Sequence, residues 1–386
     1  MKTNNFNSMK RRNFIKTTVV SNAGIIAAPT MLAEAEWGYP YSNDGKIKIG
    51  MVGASHAHAW EKFYTLNKMP DVYEIVGIVD DRDTGEPKFV LEDDKKTFDG
   101  LKRMTEEEMF CTPGLQAVLV ETSNSDLVPT AIRCMEHNLA IHMDKPGGED
   151  LGLFKELLGG CNEKDLPFQM GYMYRNNPAF QFCQRAIRKG WLGDIFEIHA
   201  DMSHNYGGEG YQKYLSTYKG GVTFLLICHH IDSVVSLLGR PANVIPFLKS
   251  TPGAINRAKN NCMVVLEYPH TMVTLSACDQ KADGVNRRSF RICGSKGTIE
   301  LSPLERFDGK PLQLQLTLSE GNDEYPAGNH IVDFGIKLDR YFDRYEKQFL
   351  EFAQIIRGEI ENPFTYEHDY LVQEVLLAAA GYTKWY

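Results

Sequence analysis

Strands that alternate with helices from residue 45 to about residue 171, then short strands separated by tight turns from residue 195 onward, predict a two-part α/β chain. The first part is expected to be a parallel sheet wound with helices. The second is expected to be an α+β domain on a large, mostly antiparallel open sheet. Length agrees with this division, because 386 residues exceed what one hydrophobic core usually supports. The expected segments are 1–35 as a removable leader, 45–172 as the parallel-sheet domain and 173–386 as the second domain, with its last helices packed back on the first.

Residues 46–52, KIKIGMV, make a mostly apolar run suited to a strand buried on both faces, and Gly53 stands where that strand must turn sharply into a helix over 57–69. This is how a Rossmann dinucleotide-binding unit opens. The usual G-x-G-x-x-G provides a tight turn, close approach of backbone to pyrophosphate and close helix packing. Here the six positions read Gly53, Ala54, Ser55, His56, Ala57 and His58, so only the first glycine is present. A second strand over 73–79 ends at Asp80, where an acidic side chain takes a ribose hydroxyl. With Asp81 beside it, Asp80 favours NAD, while Arg82 leaves room for the extra phosphate of NADP. Residues 86–110 read as a charged helix broken near Asp99-Gly100, 116–120 as a buried strand and 126–136 as a helix closed at Asn138. Residues 140–146 read as a strand ending in Asp144-Lys145-Pro146, and 168–172 as the last strand of this sheet.

Composition narrows the partners. A net charge of −8, with no basic block or basic amphipathic helix in the folded part, argues against nucleic acid or an anionic membrane and suits a small neutral substrate. No apolar run approaches the roughly 18 residues of a membrane helix. At the N-terminus, Lys10, Arg11, Arg12, Asn13, Phe14, Ile15 and Lys16 precede a weakly apolar stretch over 17–32 and a small-residue site at Ala33 and Ala35. This pattern predicts twin-arginine export. Export carries a folded protein away from free nicotinamide dinucleotide, so any cofactor is expected to be loaded beforehand and held tightly. The eight cysteines form no C-x-x-C pair and read as buried thiols.

After Arg175 the pattern changes to an amphipathic helix over 179–189, then strands over 195–201, 243–248, 262–268, 271–277, 289–293, 298–301 and 312–318. Helices are expected over 222–238, 340–357 and 367–380. On the helix over 222–238, His229 and Asp232 are three residues apart and share a face, so the carboxylate is expected to orient the imidazole. His230 points elsewhere and reads as structural. The histidines at 56, 58, 204, 229 and 230 raise the thought of a metal, but a modified phosphate turn explains the first pair more simply, and no metal ligand is assigned.

Several stretches in this order resemble the glucose-fructose oxidoreductase, or Gfo/Idh/MocA, family. They are the first strand with Gly53, Asp80, the triplet Asp144-Lys145-Pro146, Arg175-Asn176-Asn177-Pro178 and Gly190-Trp191-Leu192-Gly193-Asp194. Gly220-Gly221 leading to His229 and Asp232, the turn Gly294-Ser295-Lys296-Gly297-Thr298 and the final helices complete the set. The resemblance implies a Rossmann domain with tightly bound NAD, a second domain that carries a sugar or polyol, and a dimer or tetramer formed through the outer face of the C-terminal sheet. It implies that Lys145 polarises the reacting oxygen and that His229 exchanges its proton. Cofactor contacts are expected from Gly53, Ala54, Ser55, His56, Asp80, Asp81, Arg82, Thr122, Asn124, Asp144 and Lys145. Substrate contacts are expected from Tyr172, Tyr174, Arg175, His204, Tyr206 and Asp232.

The departures from the family pattern bear on chemistry more than on fold. Leu225 stands where the family commonly has an aspartate one turn before the histidine, Asp144 replaces a glutamate, and Leu127 replaces a common histidine. Three activities are therefore open: an NAD(P)-dependent sugar oxidoreductase, a glycosidase that oxidises its substrate transiently, and a non-redox lyase or sugar-binding protein. The oxidoreductase leads.

Overall fold

The computed structural model describes residues 45–82, 98–206, 208–335 and 343–386. The expected export leader, residues 86–97 of the charged segment over 86–110 and the start of the helix expected over 340–357 lie outside the described residues.

The first sheet consists of β1 (Ile47–Val52), β2 (Tyr73–Val79), β3 (Ala117–Val120), β4 (Ala140–Met143) and β5 (Phe168–Met170). These strands pair in parallel in the order β2-β1-β3-β4-β5. Every residue of β3, β4 and β5 is buried, as parallel strands covered on both faces by helices require. Among the described residues, four helices belong to this half: α1 (Ala59–Asn67), α2 (Glu106–Phe110), α3 (Leu127–Glu136) and α4 (Leu151–Glu163). A parallel bridge between Ile78 and Arg103 adds a rudimentary strand outside β2. α4 carries Gly152, Gly159 and Gly160, which weaken its helical signal in the sequence.

The order reverses between β1 and β3, so a crevice opens at their carboxyl ends, where an open α/β sheet binds its ligand. Gly53 turns the chain there with φ of +92°, and a Cβ on it would lie 2.4 Å from the amide nitrogen of Thr122. Only glycine fits both constraints.

The second half begins with α5 (Pro178–Arg188), β6 (Ile195–Asp201), α6 (Glu209–Leu215) and α7 (Cys228–Leu238). It continues with β7 (Asn243–Lys249), β8 (Asn261–Glu267), β9 (Met272–Cys278), β10 (Ser289–Gly294), β11 (Gly297–Leu301), β12 (Gln313–Leu318) and β13 (Gly328–Asp333). Eight strands pair in the order β13-β12-β11-β10-β6-β9-β8-β7. All neighbours are antiparallel except β6 and β9, which are parallel. These two are far apart in sequence, so their connection is long enough for a crossover. Alternation along β12, exposed then buried, puts one face of the sheet on the core and leaves the other open. The short α6 and the polar β13, GNHIVD, lack the periodicity that would announce them, and neither was expected. The helix expected over 222–238 begins as a π-turn, Thr223–Ile227, before α7 takes over.

The last two helices, α8 (Asp343–Ile356) and α9 (Tyr366–Ala379), close the molecule. α8 packs on α1 and on the turn after β5, while α9 packs on both α4 and α7. Arg175, in that turn, is the electrostatic pin. Its Nη2 donates to Asp232 Oδ1 of α7 at 2.6 Å and to Asp369 Oδ1 of α9 at 2.5 Å, all three side chains being buried. His368 Nε2 lies 3.2 Å from Asp232 Oδ1, and the guanidinium sits 4.0 Å over the Phe364 ring. Burial pushes both carboxyls up. For Asp232 the charges of Arg175 and His368 win and leave its pKa below the usual range, whereas Asp369 stays above it.

Removing the guanidinium leaves two buried carboxylates without their counter-charge. Arg175→Met is expected to lower unfolding free energy by about 3–5 kcal/mol, read by urea titration. Asp232 contributes stability above its unfolded pKa that is lost as pH falls through its lower folded value, so the deficit of the variant should shrink toward acid pH and grow toward neutrality.

Candidate active site

The carboxyl ends of the five parallel strands supply most of the side chains that the sequence nominated. After β1 comes the Gly53 turn. After β2 come Asp80, Asp81 and Arg82; after β3, Thr122 and Asn124; after β4, Asp144 and Lys145; after β5, Tyr172, Tyr174 and Arg175. The second half contributes His229 from α7, together with Tyr211 and Tyr214 from α6.

At the turn, Asp81 and not Asp80 bonds the glycine loop. Its Oδ1 accepts from the Ala54 amide at 2.7 Å, and its Oδ2 accepts from the Ser55 hydroxyl. A carboxylate beside the glycine turn is where the ribose of a dinucleotide is held. Asp80 instead accepts from Arg82, at 2.9 Å from Nε, and from Arg103. Burial opposes its charge, but the hydrogen bonds from these two arginines outweigh it and hold the carboxyl below the ordinary range.

Beneath the turn is a buried charge cluster that sequence reasoning reached only in part. Lys62 of α1 donates from Nζ to Glu121 Oε1 at 2.7 Å and meets Asp144 Oδ2 at 2.7 Å, and all three side chains are fully buried. Asp144 Oδ2 is also 3.1 Å from His56 Nδ1 and 3.0 Å from His58 Nδ1. Burial disfavours an imidazolium at both rings. At His56 the charges of Asp144 and Glu121 prevail and the pKa rises to about 9; at His58 burial and the Lys145 charge prevail and it falls to about 3. Two signals for this cluster were legible. Lys62 lies one helical turn after His58, and Glu121 interrupts an apolar strand at its carboxyl end.

Lys145 is 5% exposed, and its Nζ donates to the carbonyl of Leu225 at 3.0 Å. That carbonyl lies in the π-turn, which also shifts the register of the chain into α7. The position that lost an acidic side chain to leucine therefore still holds the ammonium, through its main chain. The Lys145 amide donates to Asp144 Oδ1 at 2.6 Å, so the strand end is fixed by its own neighbour.

His229 is buried and neutral: burial, then the Lys145 charge, drive its pKa well below the usual value. Its Nδ1 has no hydrogen-bond partner among the described residues, and neither has the hydroxyl of Tyr172, whose ring meets it edge-on at 5.9 Å. Asn124 is half satisfied. Its Nδ2 donates to Tyr214 at 2.8 Å while its buried Oδ1 has no partner. Buried polar atoms without partners are costly, and a ligand that bonds them removes that cost.

Four sequence expectations are corrected. Asp232 does not orient His229, because a buried guanidinium attracts a carboxylate more strongly than a neutral imidazole does, and Arg175 and His368 occupy it. Arg175 for the same reason faces Asp232 and Asp369. Tyr174 donates to Glu305 at 3.2 Å and stacks on Phe180. His204 is saturated: Nδ1 accepts from the Tyr206 amide at 3.0 Å, so Nε2 carries the proton and donates to Tyr211 at 3.0 Å. It has no lone pair left to act as a base. Tyr206 is 43% exposed and stacks on His204. His230 is buried between Tyr174 and Phe290, in keeping with a packing role.

The residues fit a dinucleotide. Gly53 forms a cradle that any Cβ would fill, at the topological switch point of the sheet, and the strand end after β3 carries the buried, unpartnered Oδ1 of Asn124. No helix among the described residues is long and apolar enough to cross a membrane.

Comparison with known proteins agrees. Residues 47–172 match the model described as "Oxidoreductase family, NAD-binding Rossmann fold", and residues 180–300 match the "GFO/IDH/MocA C-terminal domain". The uncharacterized oxidoreductase YhhX of Escherichia coli is 26% identical over 154 residues, a match that spans 39% of this chain and 43% of that relative. The fold is shared with a probable dehydrogenase from Thermotoga maritima (TM-score 0.66, 18% identity, 88% of this chain and 97% of that one). It is shared also with an oxidoreductase from Agrobacterium radiobacter solved with NAD+, L-tartaric acid and magnesium (TM-score 0.70, 16% identity, 87% of this chain and 96% of that one). With an NAD-binding Rossmann domain followed by the matching C-terminal domain, the chain belongs to the Gfo/Idh/MocA family of oxidoreductases.

Proposed function

We propose that this protein is an exported oxidoreductase that holds NAD tightly and oxidises or reduces a sugar, or a closely related polyol, at a hydroxyl-bearing carbon. The observation that carries this reading is the unpartnered, buried Nδ1 of neutral His229 beside the buried Lys145 ammonium, at the carboxyl edge of a nucleotide-binding sheet. NAD, when bound, accepts or returns the hydride. Gly53, Ala54, Ser55 and Asp81 would hold it at the turn, and Thr122 and Asn124 along the strand edge.

The protein's own groups handle the oxygen and its proton. The Lys145 ammonium, anchored on the Leu225 carbonyl, stabilises negative charge on the substrate oxygen as its O–H bond breaks. His229 Nδ1 takes that proton, and in the reverse direction returns it. A neutral imidazole is needed for the first role, and burial keeps it neutral. The Tyr172 hydroxyl, also unpartnered, suits a neighbouring substrate hydroxyl. A polyhydroxylated substrate accounts for the orphaned polar atoms of His229, Tyr172 and Asn124. Ile245, Phe247, Met263 and Met272 are exposed on the open face of the C-terminal sheet and support assembly with a second copy there.

Two measurements test this. Denatured protein purified without added cofactor should release about one equivalent of NAD by mass spectrometry, and a panel of aldoses and alditols should include one that reduces it. Lys145→Met should then lower the rate of that reduction by roughly 10²–10⁴-fold while NAD content is unchanged. Absence of NAD, or full activity in Lys145→Met, would refute the reading. For assembly, Phe247→Glu should shift the protein toward smaller species in sedimentation velocity; an unchanged distribution would remove this face as the interface.

A further inference from the structure

The cluster under the glycine turn is unevenly satisfied. One oxygen, Asp144 Oδ2, meets three nitrogen donors, from His56, His58 and Lys62, at 3.1, 3.0 and 2.7 Å. Another, Glu121 Oε2, is fully buried, lies 3.4 Å from His56 Nδ1 and has no hydrogen bond. Three potential ligand atoms converge, two imidazole nitrogens and one carboxylate oxygen, with Glu121 Oε2 beside the first imidazole. The ligand atoms of His56, His58 and Asp144 all lie within 4.8 Å of one another.

The separations of 3.0 and 3.1 Å between Asp144 Oδ2 and the two imidazole nitrogens are those of ligands around one ion. A tetrahedron with bonds of about 2.0–2.1 Å has edges of about 3.3 Å. We infer that His56, His58 and Asp144 form a three-ligand site for a zinc-type divalent cation that fastens the altered phosphate turn to the end of β4. This goes beyond the oxidoreductase reading and does not depend on it.

The chemistry of the set supports the inference. Nitrogen and carboxylate ligands in a tetrahedral arrangement suit Zn²⁺ or Co²⁺ better than Mg²⁺ or Ca²⁺, which favour more ligands and all oxygen. Three protein ligands leave a fourth position for water. Lys62, which donates to Glu121 Oε1 and to Asp144, becomes the supporting group that orients both carboxylates. Two carboxylates, the ammonium and a divalent ion sum to a charge of about +1 beneath a turn that faces a diphosphate. The site also gives a reason for histidines where the usual turn has a small residue and a third glycine. An ion supplies the rigidity that close glycine packing would otherwise provide.

The test uses the full chain, purified without a polyhistidine tag from zinc-supplemented culture, and elemental analysis after dialysis. The expected result is about one equivalent of zinc, exchangeable for cobalt with the intense visible absorption of a four-coordinate centre. His56→Gln and Glu121→Gln should each weaken zinc affinity by at least about 10- to 100-fold, the range that supporting groups alone command, while His199→Gln, on exposed β6, should leave it unchanged. Absence of zinc and cobalt from the wild-type protein would overturn the inference, as would full retention in a His56→Gln/His58→Gln double variant. NAD content, measured on the same samples, separates the two proposals: NAD without metal refutes this one alone, and metal without NAD refutes the oxidoreductase reading alone.

Discussion

The buried pairing of Lys62 with Glu121 and Asp144 is the interaction on which the site depends. Three fully desolvated charges are tolerable only when geometry and hydrogen bonds compensate them, and here one ammonium lies 2.7 Å from an oxygen of each carboxylate. Because Lys62 belongs to α1, Glu121 follows β3 and Asp144 follows β4, the triad ties the first helix to two strand ends across the crevice. The position of the Gly53 turn follows from that tie, and so does that of Lys145, whose amide is held by Asp144. A change of one member would expose the others to an unpaired charge in a low-dielectric interior.

A second set of charges performs the corresponding task between the two halves. Arg175 emerges just after β5 and reaches α7 and α9 at once. Arg344 of α8 joins α1 through Glu61 at 3.0 Å and meets Glu305 at 2.7 Å. These links run between elements remote in sequence, so the carboxyl edge of the parallel sheet is framed by the second domain and by the last helices. His229 enters this frame on α7, while the π-turn before it turns the Leu225 carbonyl toward Lys145. The leucine thus changes the site less than its side chain suggests, because the ammonium is held by backbone.

Much of this was legible from the chain alone. The uninterrupted apolar runs of β3 and β4, the glycine after β1 and the regular spacing of strands and helices specify a parallel sheet, since only a strand covered on both faces carries no polar alternation. The elements that escaped notice have physical reasons to do so. Glycines dilute the helical period of α4, β13 is polar on an exposed edge, and α6 is only seven residues long. At the site, the types of residue were readable but their partners were not. His229 and Asp232 share a helix face, yet Arg175, more than fifty positions away, takes the carboxylate.

By itself the sequence determined the α/β class, the single glycine at the turn and the lysine at the end of β4, because each follows from local backbone geometry or from hydrophobic period. Tertiary structure alone decided which carboxylates are occupied, which imidazoles are neutral and which polar atoms remain free. Those properties depend on burial and on charges brought within about 3–4 Å by distant segments, and electrostatic energies at such range are set by packing that no local pattern encodes.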